Sequence, residues 1–175
     1  MTYSNQPYPH EGIDFDGENI PATNKNKQSR TPIHSFINGK VVLKKDNGEE
    51  NYGRHIIICD FEDKLYLLGH LYDYADGIDI GAIVTPGMTV GYVGNTGNCG
   101  GAEDKASGKG SHLHVSNFEF SDGFVKSLNL MTDSLDIQKK VIEKIGRGSS
   151  YNCYSNFAKK YKVVNPFDYS KERKI

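Results

Sequence analysis

The chain lacks most of the features that assign a protein to a class quickly. No apolar run approaches the ~20 residues needed to cross a bilayer. Lys and Arg total 21 against 22 Asp and Glu, a net charge of −1 with a sequence pI near 6.6. That balance, with its cations scattered, argues against a nucleic-acid partner held by a basic surface. The opening Met1-Thr2-Tyr3-Ser4-Asn5-Gln6 has neither a basic stretch nor an apolar core, so no signal peptide is expected. Three cysteines form no Cys-x-x-Cys pair, which argues against a thiolate zinc cluster. Cys59 follows Ile56-Ile57-Ile58 and reads as a small buried hydrophobe, whereas Cys99 and Cys153 lie in polar stretches and would pair only in an exported protein. The chain has no internal repeat and no His-Glu-x-x-His helix. Gly108-Lys109 suggests a phosphate loop, but Gly110 follows the lysine where Ser or Thr should stand.

What is abundant points to strands. Nineteen glycines, eleven tyrosines and short β-branched runs predict a mainly β fold with an antiparallel sheet core. At 175 residues a single domain spanning 1–175 is expected. Strands are predicted over Gly39–Leu43, His55–Phe61 and Lys64–Leu71, the last two forming a hairpin through Glu62-Asp63. Two more are predicted over Gly87–Gly94 and His112–Phe120, with Ser121-Asp122-Gly123 as a turn and Phe124–Lys126 as a returning mate. The polar segment from Asp16 to Thr31 reads as an exposed loop. Ile137, Val141, Ile142 and Ile145 recur at helical spacing between Ser134 and Gly146, so a small helical insertion is expected within about 131–161.

The chemistry concentrates in four of the six histidines. His112 and His114 alternate along a strand, which sends both imidazoles to one face roughly 6–7 Å apart. One ring can then bind a metal while the other reaches a water beside it. His10 and Asp14 are four residues apart, and Pro9 and Gly12 disfavour a helix there, so an extended segment would carry them. An imidazole and a hard carboxylate suit a borderline cation such as Zn²⁺. Three protein ligands with an open fourth position are how a catalytic zinc is held. His70, closing Leu67-Leu68-Gly69-His70, reads alone as structural.

Taken together these segments resemble the LytM/lysostaphin-type zinc endopeptidases, which hydrolyse peptide cross-links of peptidoglycan. His10-Glu11-Gly12-Ile13-Asp14 matches that family's His-x-Gly-x-Asp. Leu67-Leu68-Gly69-His70 matches its Tyr/Leu-x-His strand, Gly94-Asn95-Thr96-Gly97 its glycine turn, and His112-Leu113-His114-Val115 its closing His-Leu-His. Asn165-Pro166-Phe167-Asp168 is similar to its final Asn/Asp-Pro motif. The resemblance implies Zn²⁺ held by His10, Asp14 and His114, with His70 and His112 as the catalytic pair; which of the two is the base stays open. It also implies a peptidoglycan peptide as substrate and action at the bacterial cell wall, by secretion, in the periplasm or delivered by a phage.

The departures from the family pattern surround the expected cleft. The loop from Asp16 to Arg30 is long, Asn98–Gly110 is an insertion, and residues 121–160 have no counterpart in the smallest members. They bear on substrate preference more than on chemistry. The alternative is a non-catalytic module that keeps the fold and grips peptidoglycan or a partner, but its mark would be missing ligands and none is missing. A sugar-cleaving enzyme would need a spaced acidic pair, and no motif singles one out.

Overall fold

The computed structural model describes residues 12–61, 64–119, 124, 128, 134–145 and 162–164. They form two antiparallel sheets and a helical layer. The larger sheet has the order β1-β9-β5-β4-β3-β7, with β10 also paired to β9. Its strands are β1 (Ile13–Asp16), β3 (Gly39–Asp46), β4 (Arg54–Asp60), β5 (Lys64–Gly69), β7 (Ile83–Val84), β9 (His112–Glu119) and β10 (Lys162–Val164). The smaller sheet has the order β2-β8-β6, from Pro32–His34, Thr89–Val93 and Leu71–Tyr74. Two helices are described, α1 (Ala102–Ser107) and α2 (Ser134–Ile145), together with a 3-10 turn at Lys27–Ser29.

The run Ile56-Ile57-Ile58-Cys59 is continuous rather than alternating because β4 is covered on both faces. Ile56 and Ile58 join Val41, Leu68 and Val115 in a core shared with Ile33, Leu71, Val90 and Val93 of the small sheet. Ile57 and Cys59 point the other way, into a second core closed by Ile137 and Val141 of α2. The register of β3 against β4 shifts between Val41 and Leu43. That bulge lets two successive residues, Val42 and Leu43, both enter the second core while Val41 stays in the first.

The expected strands are present, with changes that matter for the site. The single strand expected over Lys64–Leu71 is two strands in different sheets. The chain breaks between them at His70, which takes φ +63, a left-handed conformation uncommon for a non-glycine residue. The segment after Asp16 is not featureless, since it contains the 3-10 turn and ends on Arg30, which is buried. Phe124 is helical rather than the start of a returning strand. The insertion 98–110 contains α1, whose short and polar sequence gave no periodic signal. The helical insertion is realised as α2, packed on β3 through a bond from the Lys44 amide to Gln138 Oε1 at 3.2 Å. Gly146, the rest of the expected insertion, the 121–123 turn and the closing Asn165–Asp168 motif lie outside the described residues.

Inside β4, His55 is 5% exposed and its Nδ1–H donates to the Gly53 carbonyl at 2.9 Å. Burial pushes its pKa down from 6.5 to about 4. The folded state therefore holds this ring neutral at pH values where the unfolded chain protonates it. The resulting stability is complete above pH 6.5 and is lost as pH falls toward 4, in all about 3 kcal/mol. Urea unfolding of His55→Leu at pH 7 and pH 5 should show a smaller loss on acidification than the native chain, by roughly 2 kcal/mol. Equal losses in the two proteins would contradict this account.

Candidate active site

Strand β9 lies between β1 and β5, and its register sets the site. Asp14 is opposite His114, Asp16 opposite His112, and Gly69 of β5 faces His114 from the other side. The period of two along β9 then puts His112, His114 and Ser116 on one face. Asp14 Oδ1 lies 2.9 Å from Nδ1 of His114 and 3.7 Å from Nε2 of His112, so one carboxylate oxygen addresses both rings. Ser116 Oγ lies 2.7 Å from Nε2 of His114, which fixes that ring from behind. The glycine of the first motif has a steric reason. A Cβ on Gly12 would meet the His114 ring at 2.6 Å, so only glycine lets β1 pass over it.

His70 arrives from a different direction, at the crossing between sheets. Its amide donates to the Tyr52 carbonyl at 2.8 Å, and its Nδ1–H donates to the Thr96 carbonyl, also at 2.8 Å. Those two bonds pin the left-handed residue and fix its tautomer, leaving Nε2 as a lone pair toward the site. The ring is 6% exposed, and burial, reinforced by the neighbouring rings of His112 and His114, pushes its pKa down to about 3. The ring is therefore held neutral near pH 7. His112 is anchored in the same manner, Nδ1–H to the Gly110 carbonyl at 2.8 Å, and its ring centroid is 4.7 Å from that of His70.

The Gly-Asn-Thr-Gly turn does the positioning. Thr96 Oγ1 accepts from the Arg54 amide and donates to the Leu71 carbonyl, each at 2.9 Å, tying the turn to both sheets. Gly97 has φ +76, and a Cβ there would meet the Gly53 amide nitrogen at 2.2 Å. Two backbones cross where no side chain fits.

The two expected walls of the cleft prove to be joined. The Ala22 amide donates to Ala106 of α1 at 2.9 Å, and Gly17 donates to Ser111 at 2.8 Å. Arg30 secures the first segment from below, bonding the carbonyls of Ile20, Pro21 and Asn24 at 3.1–3.4 Å while its guanidinium stacks 3.5 Å over the Tyr72 ring.

Of the five expected site residues, the structure brings four together: Asp14, His70, His112 and His114. His10 lies outside the described residues. Three contributors were missed. Tyr52 packs its ring 5.3 Å from His114 and 6.3 Å from His70, and no local pattern marks it. Ser116 was readable as the next same-face residue after His-x-His. Cys99, whose pairing with Cys153 the sequence left open, is a free buried thiol with its pKa pushed up to about 12 by burial. Its donor atom and those of His70 and His112 all lie within 4.8 Å of one another. Cys153 lies outside the described residues.

The donor set fits a zinc ion. Nδ1 of His114 and Oδ1 of Asp14 face one another, an imidazole and a carboxylate that a cation would take together once the Nδ1 proton is displaced to Nε2, where Ser116 Oγ stands to accept it. The 2.9 Å separation of Nδ1 and Oδ1 is close to the roughly 3.3 Å between donors of a tetrahedral ion with ~2.0 Å bonds.

A family model described as peptidase family M23 matches residues 8–123, a span holding all four motifs. Solved structures similar to this chain include a mutant catalytic domain of the prophage-encoded M23 protein EnpA from Enterococcus faecalis, at 22% identity, 68% of this chain, 78% of that one and a TM-score of 0.48. Another is a putative glycyl-glycine endopeptidase LytM from Ruminococcus gnavus, at 27% identity, 63% and 39% coverage and a TM-score of 0.48. The catalytic domain of lysostaphin from Staphylococcus simulans is similar at 22% identity, 75% and 80% coverage and a TM-score of 0.45. No curated protein matches the chain.

The glycine crossing gives a direct test of how the turn is held. Gly97→Ala should lower stability by more than ~2 kcal/mol, combining left-handed strain with a backbone clash. Thermal or urea unfolding measures it, and a loss below about 0.5 kcal/mol would show that the crossing tolerates a side chain.

Proposed function

The chain belongs to peptidase family M23, and from that premise we propose that it is a zinc-dependent endopeptidase cleaving peptide cross-links of bacterial peptidoglycan, acting at the cell wall. The observation that carries this reading is the convergence on Asp14 Oδ1 of His114 and His112, with the neutral ring of His70 beside them. His10, Asp14 and His114 would hold the ion. Bound there, Zn²⁺ would acidify a water and polarise the scissile carbonyl.

The remaining chemistry falls to this chain's own side chains. No glutamate base has a place in the motif set, so imidazoles carry the proton. With Nδ1–H committed to a carbonyl in both His70 and His112, each ring has only Nε2 to offer. One Nε2 takes the proton of the attacking water. It then gives that same proton to the leaving amine, while the other Nε2, in a ring that enters the cycle protonated, donates to the oxyanion and keeps its proton. The preset tautomers mean that neither ring must reorganise before transfer. The joined segments 16–30 and 98–110 wall the site on one side and suit small substrate residues, as in glycyl or D-alanyl bonds.

Zinc content and wall lysis test this together. The native chain should carry about one tightly held zinc, and His114→Ala should lose both the ion and the lysis. His70→Ala should retain that zinc while lysis falls about 10²–10⁴-fold, since a proton carrier has gone and the ligands have not. New amino termini without new reducing sugars place the cut in the peptide. Lysis that persists in zinc-free protein would overturn the mechanism, and zinc binding with no hydrolysis on any wall type would favour the binding module.

A further inference from the structure

Segment 16–30 carries three cations, Lys25, Lys27 and Arg30, and hydrolysis uses none of them. Lys25 and Lys27 line a polar cavity of about 560 Å³ together with Arg54 and with Tyr72 and Asp73 of β6. The turn that presents the two lysines is fixed locally, Asn26 Oδ1 accepting from the Gln28 amide at 3.1 Å. The volume suits a small ligand or part of a larger one, and the lining selects a charged group.

These cations are unequally compensated. Arg54 bonds Asp46 Oδ2 through Nε and Nη2 at 3.1 and 2.8 Å and donates from Nη1 to the Tyr72 carbonyl. Lys27 Nζ lies 2.5 Å from Asp76 Oδ1. Lys25 is exposed and has no acidic partner among the described residues. Arg30, stacked on the Tyr72 ring, is buried, bonds only to carbonyls and leaves its Nε without a partner. Among the described residues Asp73 is the one acid on the cavity wall, and its Oδ1 accepts from the Tyr74 amide at 2.9 Å. With Asp46 and Asp76 taken by Arg54 and Lys27, Asp73 alone faces Lys25 and Arg30, which leaves about one positive charge in excess. A buried cation without a counter-ion favours an anion beside it.

The cavity adjoins the catalytic pair through the backbone. Tyr72 follows His70 by two residues and presses on Gly94, where a Cβ would meet the Tyr72 amide nitrogen at 2.3 Å. Gly94 in turn bridges His112. Two such steps of ~4.8 Å put the cavity wall roughly 10 Å from His112, the reach of about three residues of extended peptide. We propose that this cavity is an anion subsite in which Lys25, backed by Lys27 and Arg30, takes a carboxylate of the wall peptide about three residues from the scissile bond. The proposal rests on the peptidase reading and adds to it a preference among substrates. A lysine on a loop is a mobile point charge that can follow a peptide carboxylate. The corresponding carboxamide keeps the shape of that group and loses its charge. An excess of about one charge fits a single carboxylate better than a dense phosphate polymer, whose binding needs many cations.

The test compares two cross-linked wall peptides, one with a free glutamyl α-carboxylate beside the cross-link and one with the carboxamide in its place. The native chain should cut the carboxylate peptide with a KM about tenfold lower, the difference lying in KM rather than kcat. Lys25→Gln should bring the two peptides within about twofold of each other, and Lys25→Glu should favour the carboxamide. Lys139→Gln, which removes an exposed lysine of α2, should keep the native ratio. Because Lys25 is exposed, the ratio should shrink as salt rises from about 0.05 to 0.5 M. Fluorescence anisotropy with the uncross-linked form of each peptide measures the same preference with no cross-link to cut.

Equal KM values for the two peptides, a difference confined to kcat, or a preference that survives Lys25→Gln would each overturn the subsite and leave the peptidase reading standing. Tighter binding of the carboxylate form by a chain that cuts neither peptide would do the reverse, leaving a site that binds peptide carboxylates without hydrolysis. Displacement of the bound peptide by a glycerol-phosphate oligomer at a lower concentration than by unlabelled carboxylate peptide would overturn the assignment and give the cavity to a phosphate polymer.

Discussion

Everything at this site depends on the antiparallel register of β9 against its two neighbours. The pairing of Asp14 with His114 places a carboxylate from one end of the chain beside an imidazole exactly one hundred positions along, in contact through a single oxygen. A slip of one residue would turn His112, His114 and Ser116 to the opposite face and bring Leu113 and Val115 to the carboxylate. Val115 is fully buried in the core between the sheets, so the apolar side of β9 holds the register that the polar side uses. The chemistry is thus fixed by hydrophobic burial on the far face of the same strand.

Much of this was legible in advance, for identifiable reasons. Strands β3, β4 and β8 carry β-branched residues, β5 is rich in Leu and Tyr, and β9 alternates its histidines with apolar residues, so the sequence marks them without help from tertiary structure. Helix α2 was visible through Ile137, Val141 and Ile142 because a helix that lays one face on a sheet needs that spacing. The pairing of rings in His-x-His followed from the alternation of side chains along a strand, and the resemblance of the four motifs pointed to the same residues.

What stayed hidden has a common physical origin, since it depends on contacts between distant segments. Nothing local distinguishes a strand that continues through His70 from one that breaks there. The break is imposed by two carbonyls, Tyr52 and Thr96, contributed by other parts of the chain. Arg30 looked like one more polar loop residue, yet it is buried by carbonyls within its own segment and by the Tyr72 ring. Nothing around Cys99 in the sequence marked it as a buried thiol bonded to the carbonyl that also anchors His70. Helix α1 is too short and too polar to show a period.

The position of His70 between two strands of different sheets has a mechanical meaning. Its backbone belongs to neither sheet, so the distance from its ring to His112 is set by how the small sheet seats on the large one. Ile33, Val90 and Val93 form that seat from the small sheet's side. The active site is in this sense a gauge of intersheet packing. Volume changes at those apolar positions would be felt as a change of proton-transfer geometry, making the turnover rate a remote reporter of core compression.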